Sequence, residues 1–393
     1  VSAAARVPEA KLSPRGARRL ASRHPWIFKD DVASASAEHG DVVRLRDPAG
    51  RARGFAFWSA RSKIALRIVT LEDAFPDAAF WSARIERALD RRRALGWDAY
   101  RAVFGESDGI PGLVADVYGP HLVVQISTAA TERIAGALIA EIRDRIGAAT
   151  VLARNDASVR RLEGLPREVV PIDGTTPAQI VVQEDGVRFA VDPWYGQKTG
   201  AFLDQRENRL AAAALARGRV LDAFAYQGAF GLHAALAADE VVAVDASKDA
   251  LNRARADAAL NGRDNMAFVE ANAFDDLRER ERRGERFDLV MLDPPAFAKN
   301  RGEVQAARRG YKDINLRGMR LLAPGGFLIT SSCSYNVDEA EFEALVREAA
   351  ADAPRDLIVV ARRGQASDHP VRLAFPESRY LKCLVVRDAG AVP

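Results

Sequence analysis

The stretch Phe287-Asp-Leu-Val-Met-Leu-Asp293-Pro294-Pro295-Ala296-Phe297 sets an acid, two prolines and an aromatic directly after an apolar run. Leu289–Leu292 are apolar without interruption, the mark of a strand buried on both faces of a parallel sheet. Pro294 and Pro295 have fixed φ and no backbone donor, so the chain leaves that strand as a stiff, extended loop. Open α/β sheets bind their ligands beyond the carboxyl ends of the strands. Asp293, Pro294, Pro295 and Phe297 therefore read as a rigid rim suited to gripping a flat ring. The second chemical feature is Ser332-Cys333-Ser334, at the end of an expected strand over 326–333. Consecutive strands of such sheets are usually neighbours, which predicts Cys333 beside Asp293. A thiol at that edge, between two serines rather than inside the apolar run, suits a nucleophile. Cys383, inside Leu381–Val386, reads as core instead.

A third group of residues suits a cofactor. An expected strand over 219–224 carries Asp222 near its end, and Gly228 and Gly231 follow before a helix. The next strand, Glu240–Asp245, ends on a carboxylate placed to accept hydrogen bonds from ribose hydroxyls. The glycine spacing lacks the G-x-G-x-x-G register of a dinucleotide site. An acid at Asp222 would repel a pyrophosphate, yet it suits a donor that bears an ammonium and a sulfonium. S-adenosylmethionine has that chemistry; the plain alternative is an ordinary α/β turn followed by an acid. Asn272, just past the third strand, either meets the adenine or caps the helix behind it. Upstream, Lys198, Thr199, Gln205 and Arg206 make a polar run in which a basic group would meet the donor's carboxylate; the plain alternative is a turn and a helix start.

These residues need a scaffold. From about residue 187 to the end, strands alternate with helices: strands near 219–224, 240–245, 266–270, 287–293 and 326–333, helices near 228–238, 247–261, 273–283 and 302–322. That alternation predicts a doubly wound, largely parallel sheet. Residues 1–75 show short β-type runs at 41–46, 54–58 and 65–69, after a helix-like basic cluster of Arg15, Arg18, Arg19 and Arg23. Residues 76–186 read as a small α/β domain, with helices over 80–95 and 131–146, a hairpin over 114–126, and strands near 151–154 and 187–191. Its segment Gly105–Gly112 holds Glu106 and Asp108, which read as parts of a turn rather than as catalytic acids.

Length and composition narrow the function classes. A chain of 393 residues is expected to fold as two or three domains. Two cysteines exclude a disulfide framework, and no Cys/His spacing suggests zinc or another metal. No apolar run approaches the length of a membrane span and no secretory signal pattern is visible, so a cytoplasmic protein is expected, with no membrane partner. Residues 1–75 carry 14 Lys/Arg against 8 Asp/Glu, a local excess of +6. Such an excess suits a polyanion, and arginines interleaved with Trp26, Phe28, Phe55 and Trp58 would hold RNA by phosphate contacts and stacking. The alternative is a solvated basic surface over an ordinary aromatic core.

With these residues in view, the chain resembles the bacterial PUA-domain-containing 23S rRNA cytosine-5 methyltransferases almost end to end. His24-Pro-Trp-Ile-Phe28 and Arg53-Gly-Phe-Ala-Phe57 are similar to the PUA region, and Gly105–Gly112 is similar to the central domain. Lys198-Thr-Gly200, Leu203-Asp-Gln-Arg206, Asp293–Phe297, Gly310-Tyr-Lys-Asp-Ile-Asn315, Ser332-Cys-Ser334 and Asp368-His-Pro370 are similar to the catalytic domain. The resemblance implies an α/β protein with a C-terminal Rossmann-like class I methyltransferase sheet, an N-terminal mostly β PUA-like domain and a small α/β central domain. It implies S-adenosylmethionine as donor, RNA as acceptor and Cys333 as nucleophile, with Asp293 holding the base; a homodimer is admitted. Two positions depart from the family. Other RNA cytosine-5 methyltransferases carry a second cysteine beside the motif prolines, where this chain has Pro294-Pro295-Ala296, and Asn272 stands where an acid is common. Two rival functions stay open: methylation of an exocyclic amine, and a non-catalytic RNA-binding or ribosome-assembly role.

Overall fold

A computed structural model of the chain describes residues 7–297, 301–353 and 355–390; the first six and last three residues of the two outer domains expected above lie outside them. Contacts divide the chain into two units. One comprises the chain up to Val182 with Val191–Leu203 and Asp368–Ser378; the other comprises Gln183–Ala190, Asp204–Ser367 and the chain from Arg379 onward.

The first unit holds two sheets. A six-stranded sheet contains Glu9–Leu12, Trp26–Phe28, Val32–Ala35, Val42–Arg46, Ala52–Trp58 and Ile64–Thr70. Strict alternation sends Val43 and Leu45 inward to join Leu12, Ile27, Ala56 and Leu66, while Arg44 and Arg46 face outward. Arg15, Arg18 and Arg19 of the basic cluster lie on the helix Pro14–Ala21, with Ser13 as its N-cap and proline at its first position, and Arg23 follows the helix at φ 60°. The first three strands have three or four residues each, too few for a period-two pattern to register in the sequence.

The five-stranded sheet runs in the order Glu168–Asp173, Thr150–Asn155, His121–Ile126, Leu113–Tyr118 and Ala99–Phe104, with the helices Ala78–Arg93 and Ala129–Ile146. Gly105–Asp108 is a single helical turn closed by Gly109 at φ 76°. Both of its acids are structural. Asp108 receives two bonds from the buried Arg92 at 2.9 and 2.8 Å and one from the Phe104 amide at 2.6 Å, and Glu106 takes the Trp26 indole N–H at 2.7 Å.

The second unit carries the sheet that positions the chemistry. Its strands are β1 (Arg219–Ala223), β2 (Glu240–Asp245), β3 (Met266–Glu270), β4 (Phe287–Leu292), β5 (Leu322–Ser332), β6 (Asp356–Arg363) and β7 (Lys382–Gly390). Their spatial order is β3-β2-β1-β4-β5-β7-β6. The first five are parallel, and β7 runs antiparallel to both β5 and β6. The helices are α1 (Arg206–Leu215), α2 (Ala229–Ala234), α3 (Lys248–Leu260), α4 (Ala273–Arg282), α5 (Val304–Arg320) and α6 (Glu339–Asp352).

The apolar run of β4 is covered on both faces. Val290 and Leu292 pack into one core with α4, α5 and α6, while Leu289 and Met291 pack into another with α1 and α2. Alternate residues of β1, β2 and β5 divide the same way, so the sheet is wound on both sides, as the sequence predicts. Helix α2 is shorter than expected because the chain turns out of it over Ala235–Ala238, alanine preference notwithstanding. Among the described residues no helix is long and apolar enough to cross a membrane.

Candidate active site

Three carboxylates collect at the carboxyl edge of the sheet, at the ends of β1, β2 and β4. Asp222 is almost fully buried, and its Oδ2 accepts the Gly231 amide at 2.8 Å. Burial pushes its carboxyl up to about 7; the Gly231 bond opposes this, and the charges of Asp293 and Asp245 add to it. Gly231 serves packing rather than ligand approach, since a Cβ there would lie 3.0 Å from that same Asp222 oxygen. Gly228 heads α2 at φ 71°, a conformation that favours glycine.

Between β1 and α2, Phe224 and Tyr226 hold φ of 65° and 50°. Non-glycine residues in that region store strain, and such strain clusters at ligand sites. Asp245 fixes the loop, accepting the Tyr226 and Ser247 amides at 2.8 Å each. Asn272 is exposed, and its Oδ1 caps α4 through the Phe274 amide at 2.9 Å; of the two roles expected for it, that oxygen takes the cap.

Asp293 leaves β4 oriented by a chain of amides. Gln205 Nε2 donates to Asp293 Oδ1 at 2.8 Å, Asn208 Nδ2 donates to Gln205 Oε1 at 2.6 Å, and Arg363 Nε donates to Asn208 Oδ1 at 3.0 Å. Asn208 and Arg363 carry no motif in the sequence, and Arg363 stands 155 positions from Asn208. Burial of Gln205 and Asn208 fixes the carboxylate's direction. Arg206, also buried, donates to Asp185 at 2.6 Å. Lys198 and Thr199 belong to the first unit. There the Thr199 hydroxyl lies 2.9 Å from that of Tyr118 and donates to Asp116, while exposed Lys198 sits over the Phe202 ring.

Cys333 stands just past β5. Leu292 of β4 pairs with Thr330 of β5, so Asp293 and Cys333 leave adjacent parallel strands at one edge, Cys333 two residues farther along. The thiol is half-buried between buried Ser332 and Ser334. Tyr311 of α5 braces both serines, its hydroxyl 2.9 Å from Ser332 Oγ and 2.8 Å from Ser334 Oγ. Phe297 packs its ring against Tyr311, Phe274 and Phe224, with centroids 4.7, 5.6 and 6.3 Å away; Pro294 is buried and Pro295 exposed. Cys383 lies in the core, its thiol pushed up to about 12 by burial. Lys382, which drew no notice in the sequence because apolar residues surround it, is buried and donates to the carbonyls of Ser334 and Tyr380 at 2.7 and 3.0 Å.

The donor set fits S-adenosylmethionine. Asp222 is a buried carboxyl with no ion-pair partner among the described residues, its pKa raised first by burial and then by the charges of Asp293 and Asp245, and a ligand ammonium or sulfonium would satisfy it. Asp245 places carboxylate oxygens at the carboxyl edge of β2, where ligands of open α/β sheets bind. A doubly wound sheet of this order, with acids at the ends of β1, β2 and β4, is compatible with a site for such a donor.

Residues 154–385 match the family described as S-adenosylmethionine-dependent methyltransferase, and residues 10–71 match a PUA-like domain. The chain belongs to that methyltransferase family. It is 41% identical over 391 residues to the ribosomal RNA large subunit methyltransferase I of Shewanella denitrificans, covering 96% of this chain and 98% of the relative. The protein of that name from Aeromonas salmonicida is 41% identical over 382 residues, covering 94% of this chain and 96% of the relative. The same fold occurs in a methyltransferase crystallised with SAH, with TM-score 0.84, 20% identity, and coverage of 96% of this chain and 99% of that one. A SAM-dependent methyltransferase from Streptococcus mutans gives TM-score 0.82 at 20% identity with the same coverage.

Proposed function

We propose that this protein methylates C5 of a cytosine in RNA, with 23S ribosomal RNA as the substrate, through a covalent bond between Cys333 and C6 of the base. The names of its relatives and its PUA-like domain support an RNA acceptor in the large ribosomal subunit, and with it a cytoplasmic site of action. The carrying observation is the adjacency of Asp293 and Cys333 at the ends of neighbouring parallel strands. We further propose domains divided near residues 75 and 186, with the last carrying the chemistry.

C5 of cytosine is a poor nucleophile. In our reading the Cys333 thiolate attacks C6, forms the S–C6 bond and pushes the C5–C6 electrons toward C5, which becomes enamine-like. Asp293, held by Gln205, accepts from the exocyclic amine or, protonated, donates to N3, and so stabilises the activated ring. Bound S-adenosylmethionine would supply the electrophilic methyl that C5 accepts, leaving S-adenosylhomocysteine; Asp222, Asp245, Asn272, Gln205 and Arg206, with Gly228 and Asp293, are the residues we assign to holding it. Loss of the C5 proton restores the C5–C6 double bond and expels the Cys333 thiolate. Pro294, Pro295 and Phe297 form the wall against which the base rests.

The test is Cys333→Ala assayed by mass spectrometry of nucleosides from treated ribosomal RNA. We expect 5-methylcytidine formation to fall by more than about 10³-fold, because a nucleophile cannot be replaced by its neighbours. Methylation at the wild-type rate, with the methyl on an exocyclic amine, would contradict the proposal.

A further inference from the structure

Lys382 lies in β7 directly across from Ser332 of β5, and its side chain is all but sealed from solvent. Its ammonium donates to the carbonyl of Ser334, the residue immediately after Cys333, at 2.7 Å, and to that of Tyr380 at 3.0 Å. Two of its three protons are thereby used, and the nitrogen is bound within one residue of the thiol. The residues that follow it in the strand, Cys383–Val386, are all core. A lysine in such a place is costly, because burial penalises the ammonium. A methionine of similar length would fill the space but leave the Ser334 and Tyr380 carbonyls without this donor.

The counter-charges that face Lys382 can be named. Asp338 and Glu339 open α6; the Asp338 side chain caps that helix through the Glu341 amide, and Glu339 is paired with Arg379. Tyr311 reaches the same loop through Ser332 and Ser334, and Asp204 is engaged by the hydroxyl of Tyr380. The third source of negative charge is Cys333 itself when ionised. Burial brings Lys382 down to about 8, and the charges of Cys333, Asp338 and Glu339 oppose that fall.

We infer that Lys382 is a positioning residue for the nucleophile: its clamped ammonium stabilises the Cys333 thiolate and orients the loop that presents it. The inference rests on the reading of Cys333 as nucleophile. It assigns a cation to the step that an ordinary thiol, with pKa about 8.5, performs poorly at neutral pH. Stabilisation is reciprocal: the ammonium favours the thiolate as much as the thiolate favours the ammonium.

The experiment is the pH profile of Cys333 alkylation by iodoacetamide in the full-length protein, read by mass spectrometry of the Cys333 peptide. Wild type, Lys382→Met and Lys382→Arg are compared. The expected wild-type midpoint lies below about 8.5. Lys382→Met raises it by at least about one pH unit, which slows alkylation near neutrality roughly tenfold, and Lys382→Arg restores most of the difference. A Lys382→Met profile that superimposes on the wild type, with an unchanged circular dichroism spectrum, overturns the inference. Should Lys382→Met fail to fold, a wild-type midpoint at or above about 8.5 overturns it equally. The titration involves no methyl transfer. An active Cys333→Ala variant would thus sink the nucleophile reading and leave the paired charges standing.

Discussion

The buried Asp222 carboxylate has one main-chain donor and two carboxylate neighbours, and burial raises it to about 7. Its ordinary value in an unfolded chain is about 4. The folded value is the higher one, so between about pH 4 and about pH 7 the unfolded state binds fewer protons. The contribution of Asp222 to the stability of the ligand-free protein therefore falls as pH rises through that window. A cationic ligand reverses the preference and is bound best by the ionised form. We expect the affinity for S-adenosylmethionine to rise with pH through about 7, in calorimetric titrations. Asp222→Asn should flatten that rise, weaken binding, and raise the melting temperature of the free protein above pH 7. An unchanged pH dependence in the variant would contradict the role. The chemical residues at this scale were legible because each closes an apolar run: Asp222, Asp245, Asp293 and Cys333. Asn208, Arg363 and Lys382 were not, since their partners come from distant strands and helices and no local pattern marks a buried amide or ammonium.

The site depends on elements anchored from beneath. Glu184, the last residue of the strand Ile180–Glu184, is fully buried against Arg209 of α1, with bonds of 2.6 and 2.7 Å. His233 of α2 stands 3.3 Å away. Burial alone would push the Glu184 carboxyl up, but the Arg209 charge and hydrogen bonds more than offset it and hold it low. Burial lowers His233. Arg209→Met should leave a buried charge unpaired and cost about 3–5 kcal/mol in urea unfolding, while Arg209→Met with Glu184→Gln should recover much of it. A single variant that unfolds like the wild type would refute this anchoring. Periodicity alone located the strands at 240–245 and 266–270 to the residue, because both are short apolar runs bounded by turns. The sequence reading passed over β6, whose Ile358, Val359 and Val360 are exposed on an edge and so show no buried face.

Across the whole molecule, charge is less free than a count suggests. Seven of the 14 cations in residues 1–75 are engaged: Arg15 and Arg19 meet Asp31, Arg44 meets Asp73, Arg46 meets Glu9, Arg51 and Arg53 meet Asp47, and Arg67 meets Glu106. Lys11, Arg18, Arg23, Lys29, Arg61 and Lys63 form no ion pair among the described residues, and they are the cations left for a polyanion. Of the aromatics first assigned to stacking, Phe55 is buried in the core, and the Trp26 indole is bonded to Glu106 and packed on Phe375. Sequence thus revealed the fold class and the methyl donor, but not which cations and rings remain exposed, because pairing joins residues far apart in the chain. The central claim is a covalent bond between Cys333 and the base. Its most direct measurement uses full-length protein, S-adenosylmethionine and a 23S RNA fragment carrying 5-fluorocytidine, separated under denaturing conditions. Fluorine at C5 cannot depart as a proton does, so the account predicts a stable protein–RNA adduct that maps to Cys333 and is absent in Cys333→Ala. An adduct that persists in that variant, or active enzyme that forms 5-methylcytidine yet never traps the fluorinated RNA, would contradict it.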